Sequence, residues 1–187
     1  MSILAWSFGR WLRCSLVADH CGYAPRSRLA SGQNPRAIIA QVISSRVLTV
    51  GQAELLARIL GEVLIPAAVQ DELLRTHAIL PAWIKVQRVG DPAQVQTYAQ
   101  KVDLGEAEAI ALAEELHADY LLMDERKGRR LAQTRDLRVV GLLGVILIAK
   151  RRGLISSARD LLSQLDEKAG IYLSNNLKNT ALKTVGE

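Results

Sequence analysis

The sequence predicts an α/β protein: a three-layer α/β/α domain with a mostly parallel sheet, followed by a helical C-terminal extension. Two observations carry this. Short apolar runs of strand length alternate along the chain with stretches of helical period, the pattern of βαβ units. Within that alternation, residues 103–130 hold a helix that starts near Glu106 and a short apolar strand, Tyr120-Leu121-Leu122-Met123, that stops at Asp124. At 187 residues the chain has the length for one domain with a full core, or one domain plus an appendage.

The elements follow in order. Residues 1–36 are foreign in composition to the rest, rich in Arg, Ser, Gly and aromatics and without a sustained period, and are expected to be a poorly structured segment. The domain is expected over 37–155 and the extension over 156–187. Ala37 to Ile43 reads as a strand, Gln52 to Leu60 as a helix and Glu62 to Ile65 as a strand. A helix then enters at Pro66, where proline suits the first turn, and ends near His77. Trp83 to Val89 reads as a strand, and Asp91 to Lys101 carries no pattern that assigns it. The helix from Gly105 to His117 has Ala109, Ile110, Ala113 and Leu116 at helical spacing. After the strand Tyr120–Met123 come a basic helix, Arg126 to Thr134, the strand Arg138–Val140, and an apolar helix from Leu142 to Arg152. Two further helices are expected over 156–168 and 174–185.

Charge and cysteines exclude more than they assign. The net charge is +5, but residues 1–36 hold five arginines against one acid, Asp19, which leaves 24 − 5 = 19 basic and 19 − 1 = 18 acidic residues in the remainder. Any nucleic-acid footprint therefore has to be local. Cys14 and Cys21 with His20 do not make a zinc pattern, which needs four ligands at motif spacing. No apolar run is long enough to span a bilayer, and Arg10 and Arg13 interrupt what would be a signal peptide, so a cytoplasmic protein is expected.

In an open parallel sheet, ligands bind outside the carboxyl ends of the strands. Asp124 ends a strand, Glu106 lies in the first turn of its helix, and Glu72 lies in the second turn of the helix entered from Glu62–Ile65. All three can reach one edge. Carboxylates about 4 Å apart repel by roughly 4 kcal/mol per pair at an effective dielectric near 20, so such a cluster needs a cation or shared protons. Mg²⁺ or Mn²⁺ suits oxygen ligands. Each acid also has a structural reading. Asp103 and Glu106 fit a capping box, Glu72 fits a solvated surface, and Asp124 could cap the helix beginning at Arg126. Glu108, Glu114 and Glu115 read as a solvated helix face. The run Arg126-Lys127-Gly128-Arg129-Arg130 is either another solvated face or a phosphate-positioning surface that is salt-dependent and sequence-blind.

At these residues the sequence resembles the PIN-domain superfamily of metal-dependent ribonucleases, in particular its VapC-toxin-like branch. The resemblance rests on GEVLIPAAVQDEL (61–73), DLGEAEAIALAEELHADYLLMDERKGRRLA (103–132) and LRVVGLLGVILIAKRRGLI (137–155). It implies that Glu72, Glu106 and Asp124, with Glu125 as a neighbour, hold Mg²⁺ or Mn²⁺, that a metal-bound water attacks RNA, and that Arg126, Lys127, Arg129 and Arg130 steer the RNA. It further implies a toxin–antitoxin module, with a homodimer and a small antitoxin as partners.

One family position is missing. Members carry an Asp at the end of the first strand, followed by a hydroxyl residue, Ser and Pro, whereas this chain has no carboxylate between Asp19 and Glu54. Leu142 likewise replaces the hydroxyl residue usual between the glycines at 141 and 144. Three explanations compete. Asp19 could end the first strand, at the cost of a long structureless insertion. Alternatively the domain is degenerate, or the reading frame upstream of about residue 50 is altered. The last two fit better. The competing function is a non-catalytic PIN-like module that binds RNA or a partner protein. A nucleotide or phosphoacceptor module is weaker, because no Gly-rich phosphate loop occurs.

Overall fold

The computed structural model describes residues 35–40, 53–169 and 173–187. The expectation for residues 1–34 and the stretch after Ala40 up to Gln52 lie outside the described residues.

Among the described residues, five strands form one all-parallel sheet in the order β3-β2-β1-β4-β5. They are β1 (Arg36–Ile39), β2 (Glu62–Ile65), β3 (Ile84–Val86), β4 (Tyr120–Leu122) and β5 (Val139–Val140). Register is set by Ile38 opposite Leu64 on one side and Leu121 on the other, so β1 is the central strand. Its alternation divides the core: Ala37 and Ile39 face one layer, Ile38 and Ala40 the other, as a period of two requires.

The first layer contains α1 (Ala53–Leu60), α6 (Leu142–Arg151), α7 (Ala158–Ala169) and α8 (Asn175–Lys183), together with Val69 and Leu73 of α2 (Ala67–Thr76). Leu161, Leu162, Leu165, Ala181 and Leu182 share that core with Ile39, Ile65 and Leu122, so α7 and α8 pack into the same core as the sheet. The second layer holds α3 (Pro92–Ala99), α4 (Leu104–Glu115) and α5 (Arg126–Thr134). This is the expected three-layer α/β/α fold. Among the described residues no helix is long and apolar enough to cross a membrane.

The unassigned stretch Asp91–Lys101 is a helix. Asp91 caps it, accepting from the backbone N–H groups of Ala93 and Gln94 at 3.0 and 3.1 Å, and Pro92 opens its first turn. Its inner face has only Val95 and Tyr98 buried, too little to announce a period. β3 is shorter than the Trp83–Val89 run, starting at Ile84 and ending at Val86, and Trp83 packs, half-buried, against the core.

The topology places a switch point beside β1. The chain moves outward from β1 to β2 and β3, then returns through α3 and α4 to β4 on the other side of β1. The crevice at the carboxyl ends of β1 and β4 is where such folds bind ligands.

Candidate functional site

Glu106 enters this edge from the first turn of α4. Asp103 caps the helix, its Oδ1 accepting from the Glu106 backbone N–H at 2.8 Å, and the Asp103 backbone N–H reaches the Glu106 carboxyl in return. This reciprocal pair is the capping box its sequence suggested. The cap turns the Glu106 side chain inward, where it is 1% exposed and its Oε1 has no hydrogen-bond partner among the described residues. Burial, then the negative charges of Asp103 and Glu125, push its pKa up to about 7.

What covers Glu106 is the backbone of α5. A Cβ at Gly128 would stand 2.6 Å from Glu106 Oε1 and 2.5 Å from Met123 Sδ. Glycine is required here for close approach, which seats α5 directly on the acid.

Asp124 follows β4 and is about half exposed, with 54% of its side chain accessible. It does not cap α5, whose N-cap residue is Glu125 and makes no side-chain cap bond. Instead its Oδ1 accepts from the Leu142 backbone N–H at 3.2 Å, at the start of α6, and lies 4.0 Å from the Arg129 guanidinium. Gly141 makes room for both groups: a Cβ there would stand 2.6 Å from Asp124 Oδ1 and 2.7 Å from the Arg129 guanidinium nitrogen. Leu142, at the position where a hydroxyl residue was expected, contributes its backbone N–H and buries its side chain in the core.

The basic run is divided. Arg126, Lys127 and Arg130 are exposed on α5. Arg129 lies inward: its side chain is only 12% exposed and donates to the Met123 carbonyl at 3.0 Å. Burial lowers its pKa, and Asp124 opposes that shift.

Glu72 is half-buried on α2. The carboxyl that fixes this helix is Glu108, whose Oε2 accepts from the Ala68 backbone N–H at 2.9 Å and so caps α2 from α4. The expectation of a solvated face is therefore corrected at Glu108 and Glu114, while Glu115 is exposed. Glu114 accepts from the Tyr98 hydroxyl at 2.5 Å, from Gln94 at 3.0 Å and from Arg135 at 2.8 Å, and Glu115 accepts from the Gly90 backbone N–H at 2.8 Å. Asp119, another buried acid that sequence reasoning missed, accepts from the Arg36 backbone N–H at 2.8 Å and fixes the start of β1. No sequence spacing signals these contacts, since each joins distant elements.

The orphaned Glu106 Oε1 is an oxygen a cation could satisfy. Against that, among the described residues no three His, Cys, Asp or Glu side chains stand close enough together to hold a metal ion. The charges that shift Glu106 come from Asp103, Glu125 and Lys127. The residues as placed do not fit a complete metal centre.

Compared with known families, residues 45–187 match the family described as DUF3368: PIN domain. The match starts after β1, so the central strand that should carry the first acid precedes the matched residues. No curated protein and no solved structure matches the chain. A family match over most of the sequence, on a five-stranded parallel sheet with helices on both faces, settles the lineage: the chain belongs to the PIN-domain family, a nuclease-type fold.

Proposed function

We propose that the chain is a degenerate ribonuclease-type PIN domain, descended from the toxin of a toxin–antitoxin pair, that binds RNA without cleaving it efficiently. The observation that carries this reading is that no three acids among the described residues stand close enough together to hold a metal ion. Glu106 is sealed beneath Gly128, Asp124 is engaged by the Leu142 N–H and Arg129, and the central strand brings no carboxylate. RNA would be met by Arg126, Lys127 and Arg130, which lie exposed on the helix beside Asp124. Such contacts hold phosphates without reading bases. A small antitoxin and a second copy of the chain are the partners that this lineage implies.

The test is the anisotropy of a labelled single-stranded RNA titrated with the protein in excess EDTA, at several salt concentrations. Binding that weakens with salt, and that is lost in the R126Q/K127Q/R130Q variant, supports the reading. Absence of binding even at low salt overturns it.

The second reading is an active Mg²⁺- or Mn²⁺-dependent ribonuclease using Glu72, Glu106 and Asp124. It is favoured by one observation, the buried and unpartnered Oε1 of Glu106.

A further inference from the structure

We propose that Arg129 is the resident counter-cation of Asp124: its guanidinium takes the place a divalent metal would otherwise hold, so the sheet edge receives an RNA phosphodiester without metal. The inference rests on the degenerate reading above and adds the residue responsible.

Four observations converge on one carboxylate oxygen. The Arg129 guanidinium stands 4.0 Å from Asp124 Oδ1. It is held there by the Met123 carbonyl, the residue immediately before Asp124, so it cannot swing out to solvent without breaking a 3.0 Å bond. The Leu142 N–H, at the positive end of α6, donates to the same oxygen. Gly141 lacks the Cβ that would collide with both groups, at 2.6 and 2.7 Å.

Charge decides what this arrangement admits. A divalent cation is stabilised by several carboxylates acting together, but here Asp124 already faces one full positive charge and a helix N-terminus, and Glu106 lies behind the α5 backbone. A metal ion arriving at Asp124 would meet a guanidinium a few ångströms away and be repelled. An anion meets Arg126, Lys127 and Arg130 outside, while Arg129 within offsets the charge of Asp124 that would otherwise repel it. Arg129 sits on the same helix as the exposed cations, so it also fixes that helix relative to the strand end.

The experiment is a Mn²⁺ titration by calorimetry of the wild-type chain and of the R129Q, R129K, D124N and R129Q/D124N variants. The wild type should bind no Mn²⁺ that depends on Asp124. R129Q should gain Mn²⁺ affinity by roughly tenfold or more, as removal of a like charge at this distance requires, and R129Q/D124N should lose the gain. R129K, which keeps the charge, should remain silent. Wild-type Mn²⁺ binding that D124N abolishes overturns the proposal whether or not R129Q folds. A failure of RNA binding would overturn the proposed function separately, because the calorimetry contains no RNA.

Discussion

The carboxyl of Glu106 is packed against the backbone of Gly128, with room between them for no side chain: a Cβ at Gly128 would stand 2.6 Å from Glu106 Oε1. G128A should therefore destabilise the fold. Alanine would gain up to about 1 kcal/mol in helix propensity, but overpacking against two buried side chains costs roughly 1–3 kcal/mol, and the second effect should win. Urea denaturation of G128A beside wild type measures the balance, and a more stable variant would show that α5 is not seated on the acid.

The same burial gives stability a pH dependence of unusual sign for a carboxyl. The folded pKa of Glu106 is about 7, above the ordinary 4.5, so the folded state holds the proton more tightly than the unfolded state. Its contribution is fully present below pH 4.5, falls as pH rises to about 7, and is flat above. The span is on the order of 3 kcal/mol. Thermal melts of wild type and E106Q from pH 4.5 to 8 should show this loss in wild type only. Parallel curves would place the titration elsewhere.

Two glutamates near α2 should behave differently on truncation. E108A removes the carboxylate that receives the Ala68 N–H, and loss of a helix cap costs about 0.5–2 kcal/mol. E72A removes a half-buried side chain from the second turn and should fall within about 0.5 kcal/mol of wild type. Chemical denaturation separates them, and equal costs would make Glu72 a structural residue after all.

Removal of the three exposed cations Arg126, Lys127 and Arg130 should change the salt dependence of RNA binding as well as its strength. Three lost phosphate contacts on a single strand flatten the log–log salt slope by roughly 2. R129Q should leave that slope nearly unchanged, since its guanidinium faces Asp124. A comparable flattening in R129Q would return Arg129 to the RNA-facing surface.

Much of the fold was legible because each element carries its own period. β2 and α5 fall where the sequence placed them, at Glu62–Ile65 and Arg126–Thr134. α3 was not, because its buried face is only Val95 and Tyr98; the Asp91-Pro92 cap was the signal available. At the candidate site the sequence offered acids at particular positions but not the contacts they make. Spacing puts Glu106 and Asp124 at one edge, yet it cannot say that Gly128 would cover the first or that Leu142 and Arg129 would engage the second. Glu108 illustrates the same limit, since its partner Ala68 is 40 residues away.

The most direct test of the separated-acid site is the fate of RNA itself. A labelled single-stranded RNA should be incubated with excess wild-type protein or E106Q, with Mn²⁺ or EDTA, and resolved on a denaturing gel. The expected result is intact RNA in every lane under conditions where anisotropy reports binding. Mn²⁺-dependent cleavage by wild type that E106Q abolishes would contradict it, and would show that Glu106 and Asp124 are drawn together into a working metal centre.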